Sequence, residues 1–173
     1  MINEENVFQE AMDLSGGERR PKMAICYDFD RTLSPDDMQA QGYIQSVGFD
    51  IADFWRETNM LAEQNDMDQN LAYMLKMVQE AKGNFPFNKE TLADYGARVH
   101  LFPGVADWFR RIKEYGLSKN VIVEHYIISS GTYEIIQGTP IAKYFKRIYA
   151  CRYMYDENGE ALWPALAINY TLK

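Results

Sequence analysis

The chain has 173 residues, 47% apolar and 25% charged, with a net charge of −7. That is the composition of an ordinary globular protein, long enough to bury roughly 70% of its unfolded surface in one core, or in a core with an inserted subdomain. The negative balance offers no basic patch to displace counterions, so neither nucleic acid nor a membrane is expected as a partner, and a bound phosphate must find positive charge locally.

Residues 1–22 read as a polar lead-in. Met1 to Phe8 is too acidic and polar for a signal peptide, and no apolar run approaches the length that spans a bilayer. Asn6 to Leu14 suits one or two helical turns, which Ser15-Gly16-Gly17 and Pro21 break. The two cysteines, Cys26 and Cys151, each fall in a predicted strand and read as reduced core thiols of a cytoplasmic protein.

Met23 to Tyr27 is an apolar run that predicts a buried parallel strand, and it ends abruptly in Asp28 and Asp30, with Thr32 behind them. Open α/β sheets place ligands just beyond the carboxyl ends of their strands. Two acids there repel each other unless a cation lies between them or one keeps its proton. Spaced two apart, one can attack while the other moves a proton. The plainer alternative is a polar loop whose aspartates cap the next turn.

From Ser34-Pro35-Asp36-Asp37, a helix start, the pattern stays helical to about Val99. Asp36 to Val47 predicts one helix closed near Gly48. Ile51, Phe54, Trp55, Thr58 and Leu61 trace a second, and Leu71, Met74, Leu75 and Val78 a third that stops at Gly83-Asn84. Asn88 starts a short fourth. The methionines and aromatics of these stripes read as helical core, part of which can face a ligand.

Val105 to Tyr115 predicts an amphipathic helix ended by Gly116, followed by a strand from Val121 to Ile128. That strand ends in Ser129-Ser130-Gly131-Thr132. A small hydroxyl before a glycine and a new helix suits an anion, although Ser can equally cap the helix from Thr132 to Gln137. Thr139-Pro140 opens a further short helix to Phe145, and Arg147 to Tyr155 alternates as a third strand. Asn158-Gly159 then predicts a hairpin back through Ala161-Leu162-Trp163.

The strand with Asp28-Phe29-Asp30-Arg31-Thr32 resembles the first signature, D-x-D-x-T, of the haloacid dehalogenase superfamily in the form its phosphatases carry. Phe102-Pro103-Gly104-Val105 and the late hairpin add to the likeness, the hairpin being similar to one in phosphoserine-phosphatase-like members. The resemblance implies an α/β fold: a three-layer α/β/α Rossmann-like core at 23–35 and 100–173, its sheet incomplete, and an inserted all-helical cap at 36–99. It implies Asp28 as the nucleophile forming an aspartyl-phosphate and Asp30 as the general acid/base. Both would be ligands of Mg²⁺, Asp28 through its carboxylate and Asp30 through its main-chain carbonyl. Thr32 would steady the loop at the phosphate, Ser129 would hold the phosphoryl oxygens, and Ser130 and Gly131 would add backbone donors. Dehalogenases proper lack the second acid, so Asp30 favours phosphoryl transfer.

The family's third motif is a lysine, for which Lys173 is the candidate; Lys143 and Lys146 read as a solvated helix face. Its fourth motif, an acid pair completing the Mg²⁺ site, has no counterpart. Asp36, Asp37, Asp156 and Glu157 are explained by capping and by the hairpin. The expectation is a chain that stops before the fourth motif. Its first strand would lie at a sheet edge and pair in a homodimer or with a missing C-terminal segment. The expected function is a Mg²⁺-dependent phosphatase acting on a small phosphorylated metabolite, partly apolar to judge from the cap's aromatics. The alternatives are a catalytically incomplete fragment or phosphate-binding module, and a phosphomutase.

Overall fold

In the computed structural model, which describes residues 20–169, four strands form one sheet in the order β1-β2-β3-β4. β1 (Lys22–Tyr27), β2 (Ile122–Thr132) and β3 (Arg147–Tyr155) run parallel, and β4 (Ala161–Leu166) returns antiparallel to β3. The hairpin expected at Asn158-Gly159 forms, with Gly159 at a φ of 83° and the Asp156 amide bonded to the Glu160 carbonyl. Between β1 and β2 lie α1 (Tyr43–Ser46), α2 (Ile51–Gln64), α3 (Gln69–Ala81), α4 (Lys89–Ala97) and α5 (Val105–Ser118); α6 (Tyr133–Gly138) follows β2. The lead-in helix expected at 6–14 lies outside the described residues. Among the described residues no helix is long and apolar enough to cross a membrane.

Strand alternation divides the sheet between two environments. Tyr27, Val123, His125 and Ile127 face α5, whose Gly116 lies so close to β2 that a Cβ there would come within 2.5 Å of Val123. Gly116 therefore serves packing inside α5 and does not end it, contrary to the expectation from sequence; the helix runs on to Ser118. On the opposite face Glu124 is bound by Lys146 at 2.7 Å and Lys22 at 3.3 Å. Partial burial works against ionisation, yet those ammonium groups and the Tyr126 hydroxyl hold the Glu124 carboxyl at about 2.

β1 is not a strand buried on both faces: Met23, Ala24 and Cys26 are exposed, and Cys26 is no core thiol. The reason is placement, since among the described residues β1 pairs only with β2 and its even-numbered side chains join the charged face. Nor is there one helix from Asp36 to Val47. A single 3₁₀ turn at Met38–Ala40 gives way to α1 through Gly42 at a φ of 137°, a conformation that favours glycine. The Ser34 hydroxyl donates to the Asp36 carbonyl and does not cap a helix. The expected helix to Phe145 is likewise reduced to a turn, Ala142–Tyr144.

The helices between β1 and β2 have polar caps and apolar contact faces. Asp50, Asp68 and Asn88 accept the first amides of α2, α3 and α4. Their buried faces, with Tyr43, Phe54, Met74, Met77 and Leu92, belong to the same hydrophobic cluster as Phe29, Ile127, Ile135 and Tyr153. Glycines allow the closest approach. A Cβ on Gly96 of α4 would fall 1.9 Å from the Ile135 carbonyl oxygen, and one on Gly138 of α6 2.1 Å from that of Ala93.

Beneath the tip of β1, the Trp108 indole donates to the Tyr27 hydroxyl at 2.8 Å, and that hydroxyl is hydrogen-bonded to Nδ1 of His125 at 3.0 Å. Burial, and then the charge of Lys113, lowers the His125 pKa. The unfolded chain, with histidine near 6.5, therefore takes up the proton first, and stability should fall as the pH drops through about 6.5. Urea unfolding between pH 7.5 and 5.5 should show this decline in the wild type and a flatter profile in His125→Phe. Equal slopes would exclude His125 as its source.

Candidate active site

The site is built where two neighbouring strand tips meet. The parallel register runs from Lys22 opposite Ile122 to Tyr27 opposite Ile127, so Asp28 leaves β1 at the level where β2 reaches Ile128 and Ser129. Asp28 is half-buried, and its Oδ1 accepts the amide of Phe29 at 2.8 Å. The Phe29 side chain is fully buried, and its carbonyl gathers the amides of Thr32, Leu33 and Ser34 at 3.2, 2.9 and 3.2 Å. This tight turn, with Arg31 at a φ of 59°, carries Asp30 back over the strand end. There Asp30 Oδ1 accepts the Met38 amide at 2.8 Å. Thr32 is exposed, on the outside of the turn.

At the tip of β2, Ser129 is fully buried, and its Oγ accepts the Gly131 amide at 2.9 Å while keeping its own proton to donate. The Thr132 amide points to the sulfur of Met38 at 3.3 Å. The amides of 131 and 132 are thus turned into the protein, so the second motif offers its hydroxyl more directly than a nest of N–H groups. The Ser130 carbonyl accepts the Tyr73 hydroxyl at 2.7 Å. Burial, with Cys151 and Tyr153 nearby, pushes the Tyr73 pKa well up, so it remains a donor that ties α3 to the strand tip.

The two tips touch. A Cβ on Gly131 would lie 2.1 Å from the Met38 methyl, 2.9 Å from its sulfur and 3.1 Å from Asp30 Oδ2. Beside this contact opens a cavity of about 550 Å³. Asp30 and Ser130 line one end. Trp55, Thr58 and Asn59 of α2 and Gln69, Asn70 and Tyr73 of α3 line the other, with Arg31, Asp37 and Gln39 at the side. Arg31 is paired with Asp37 at 3.0 Å.

The structure thus brings Asp30, Ser130 and Gly131 together and sets Asp28 and Ser129 at the two tips, while Lys173 lies outside the described residues. Lys146 is engaged with Glu124 on the charged face, and Asp156 accepts the amides of Asn158 and Glu160 in the hairpin. Met38 and Tyr73 went unrecognised as site residues. One lay in a stretch that reads as plain helix, and the other in an aromatic stripe that reads as core. Oxygen donors such as the Asp28 carboxylate and the Asp30 carbonyl suit Mg²⁺, which keeps several waters and needs only one or two carboxylates. Among the described residues no group of three or more His, Cys, Asp or Glu gathers to hold a metal.

No family model matches the chain. An uncharacterized protein of Borreliella burgdorferi is 30% identical over 149 residues, which take in 79% of this chain and 52% of that protein. Among solved structures, a HAD family hydrolase from Salmonella enterica serovar Typhi has a TM-score of 0.57 at 18% identity, over 93% of this chain and 54% of the other. Phosphoserine phosphatase, as a phospho-aspartyl intermediate analogue, gives 0.54 at 16% identity over 82% of this chain and 61% of that one. A probable phosphoserine phosphatase from Vibrio cholerae gives 0.55 at 11% identity, over 96% and 49%. The chain spans about half the length of the relatives it matches.

Because Gly131 is filled in by Met38, Gly131→Ala should destabilise the protein by about 1–3 kcal/mol in urea unfolding. Combined with Met38→Ala, which vacates that space, the loss should fall short of the sum of the single losses. Strict additivity would show that the two residues do not meet.

Proposed function

We propose that this chain, which has the haloacid dehalogenase fold, is a phosphatase of small phosphorylated metabolites. The observation that carries this reading is the contact between Asp30, held by the Met38 amide, and Gly131 at the tip of the neighbouring strand. It joins the D-x-D-x-T turn to the serine motif at the mouth of one cavity, as phosphoryl transfer requires.

In this reading Asp28 attacks phosphorus in line, and the bond to the leaving oxygen breaks as an aspartyl-phosphate forms. Asp30, whose Oδ1 is committed to Met38, donates a proton from Oδ2 to the departing alkoxide. It then takes a proton from the water that attacks phosphorus, which releases phosphate and restores Asp28. The buried Ser129 hydroxyl donates to a phosphoryl oxygen, and Thr32 steadies the turn. Asp28 and the Asp30 carbonyl would hold Mg²⁺, which when bound offsets the charge that two carboxylates and a phosphate dianion bring together. Residues 36–99 serve as the cap, α2 and α3 walling the cavity above the strand tips. The free cysteines suit a reducing compartment such as the cytoplasm. The edge of β1 that has no partner strand among the described residues is where a second copy, or further chain, would pair.

A second reading is a phosphate-binding unit without turnover, favoured by the lack of a third acid beside Asp28 and Asp30 among the described residues. Hydrolysis of an aryl phosphate with Mg²⁺ decides between them. Turnover that disappears in Asp28→Asn and falls about 10²–10⁴-fold in Asp30→Asn is the expected result. Wild-type rates in Asp28→Asn would rule out the covalent route, and phosphate binding with no turnover in the wild type would favour the second reading.

A further inference from the structure

Arg31 is the one cation among the cavity's described lining residues, in a turn that does not itself ask for arginine. Its backbone sits at a φ of 59°, in the left-handed region, where a glycine is at ease and a side chain brings strain. What position 31 gains from arginine is therefore the guanidinium. That side chain is 71% exposed, and its one hydrogen bond among the described residues runs from Nη2 to Asp37 Oδ2 at 3.0 Å. A guanidinium carries five N–H donors in a rigid planar fork, so four are left to solvent or to a ligand. An exposed ion pair contributes little stability of its own, yet this one ties the guanidinium to the cavity's rim, because Asp37 lines it too. Asn59 and Gln69, exposed on α2 and α3, line the same cavity with carboxamides that also donate.

We infer that Arg31 is an anion subsite: the ester's leaving group carries a second negative group, a carboxylate or a further phosphate, which the guanidinium receives through paired N–H···O bonds. This rests on the phosphatase reading and names its substrate class. In that reading Asp30 protonates the leaving oxygen, so the residue that follows it in the chain meets the departing alcohol and not the phosphoryl group. Carboxylate and phosphate both present two oxygens at the spacing of the fork. With Asp37 already bonded, the guanidinium is held in place before the ligand arrives, which lowers the ordering cost of binding. A neutral or ammonium-bearing alcohol would leave the four donors to water and reduce Arg31 to a tie between the turn and Asp37.

The test compares the full chain, with Mg²⁺, on p-nitrophenyl phosphate, glycerol 3-phosphate, phosphoethanolamine, phosphoglycolate and fructose 1,6-bisphosphate. Phosphoglycolate or the bisphosphate should exceed glycerol 3-phosphate and phosphoethanolamine about tenfold in kcat/KM, the effect of one hydrogen bond to a charged group. Whichever of the two leads identifies the second group as carboxylate or phosphate. Arg31→Gly, which suits the turn, and Arg31→Gln should each lower the ratio of that substrate to glycerol 3-phosphate about tenfold, mostly through KM. A preference for glycerol 3-phosphate or phosphoethanolamine, or a ratio unchanged in both variants, would overturn the inference while leaving the phosphatase intact. If none of these esters is turned over, the phosphatase reading fails, and calorimetry then decides. Tighter binding of 3-phosphonopropionate than of propylphosphonate, with the difference lost in Arg31→Gly, keeps the subsite; equal binding, or none, ends it.

Discussion

One residue, Met38, bonds to both strand tips at once. Its main-chain amide holds the Asp30 carboxylate at 2.8 Å, and its sulfur accepts the Thr132 amide at 3.3 Å. The methyl beyond that sulfur occupies the space that a side chain at position 131 would need. An acid at the end of β1 and a glycine at the end of β2 are therefore fixed relative to each other through a third segment. A carboxylate meant to move a proton must be held in register with the atom it serves, and a misplacement of about 1 Å can cost 10²-fold in rate. The run around Met38 makes one 3₁₀ turn and is broken at Gly42, whose φ is 137°.

The same economy governs how the helical segment sits on the sheet. Tyr73 reaches from α3 to the Ser130 carbonyl, and Gly96 and Gly138 let α4 and α6 approach within backbone contact. Buried Lys76 ties α3 to α2 through Glu57 at 2.9 Å and pairs within α3 with Glu80 at 3.0 Å. The cavity is consequently walled by elements that share one apolar cluster with the sheet. Its polar lining sits on a rigid support, which is what recognition of a small ligand asks of a fold.

Much of this was legible in the residues alone. Apolar runs ending in acids or serines, helical stripes at 51–61 and 71–78, and Asn158-Gly159 marked strands, helices and hairpin within a few positions. The failures share a cause. Met38 and Gly116 took roles set by distant partners, the Asp30 carboxylate and Val123, which no local pattern encodes. Cys26 looked like core because a short apolar run does not reveal that its even-numbered side chains share a face with Glu124 and its lysine partners.

The most direct measurement is an NMR titration of the ¹⁵N-labelled chain with inorganic phosphate in the presence of Mg²⁺. If the two strand tips share one phosphate, the amides of Asp30, Met38, Ser130, Gly131 and Thr132 should shift together along a single saturation curve. Shifts confined to other parts of the protein, or Asp30 and Gly131 amides that stay still at saturation, would contradict that arrangement.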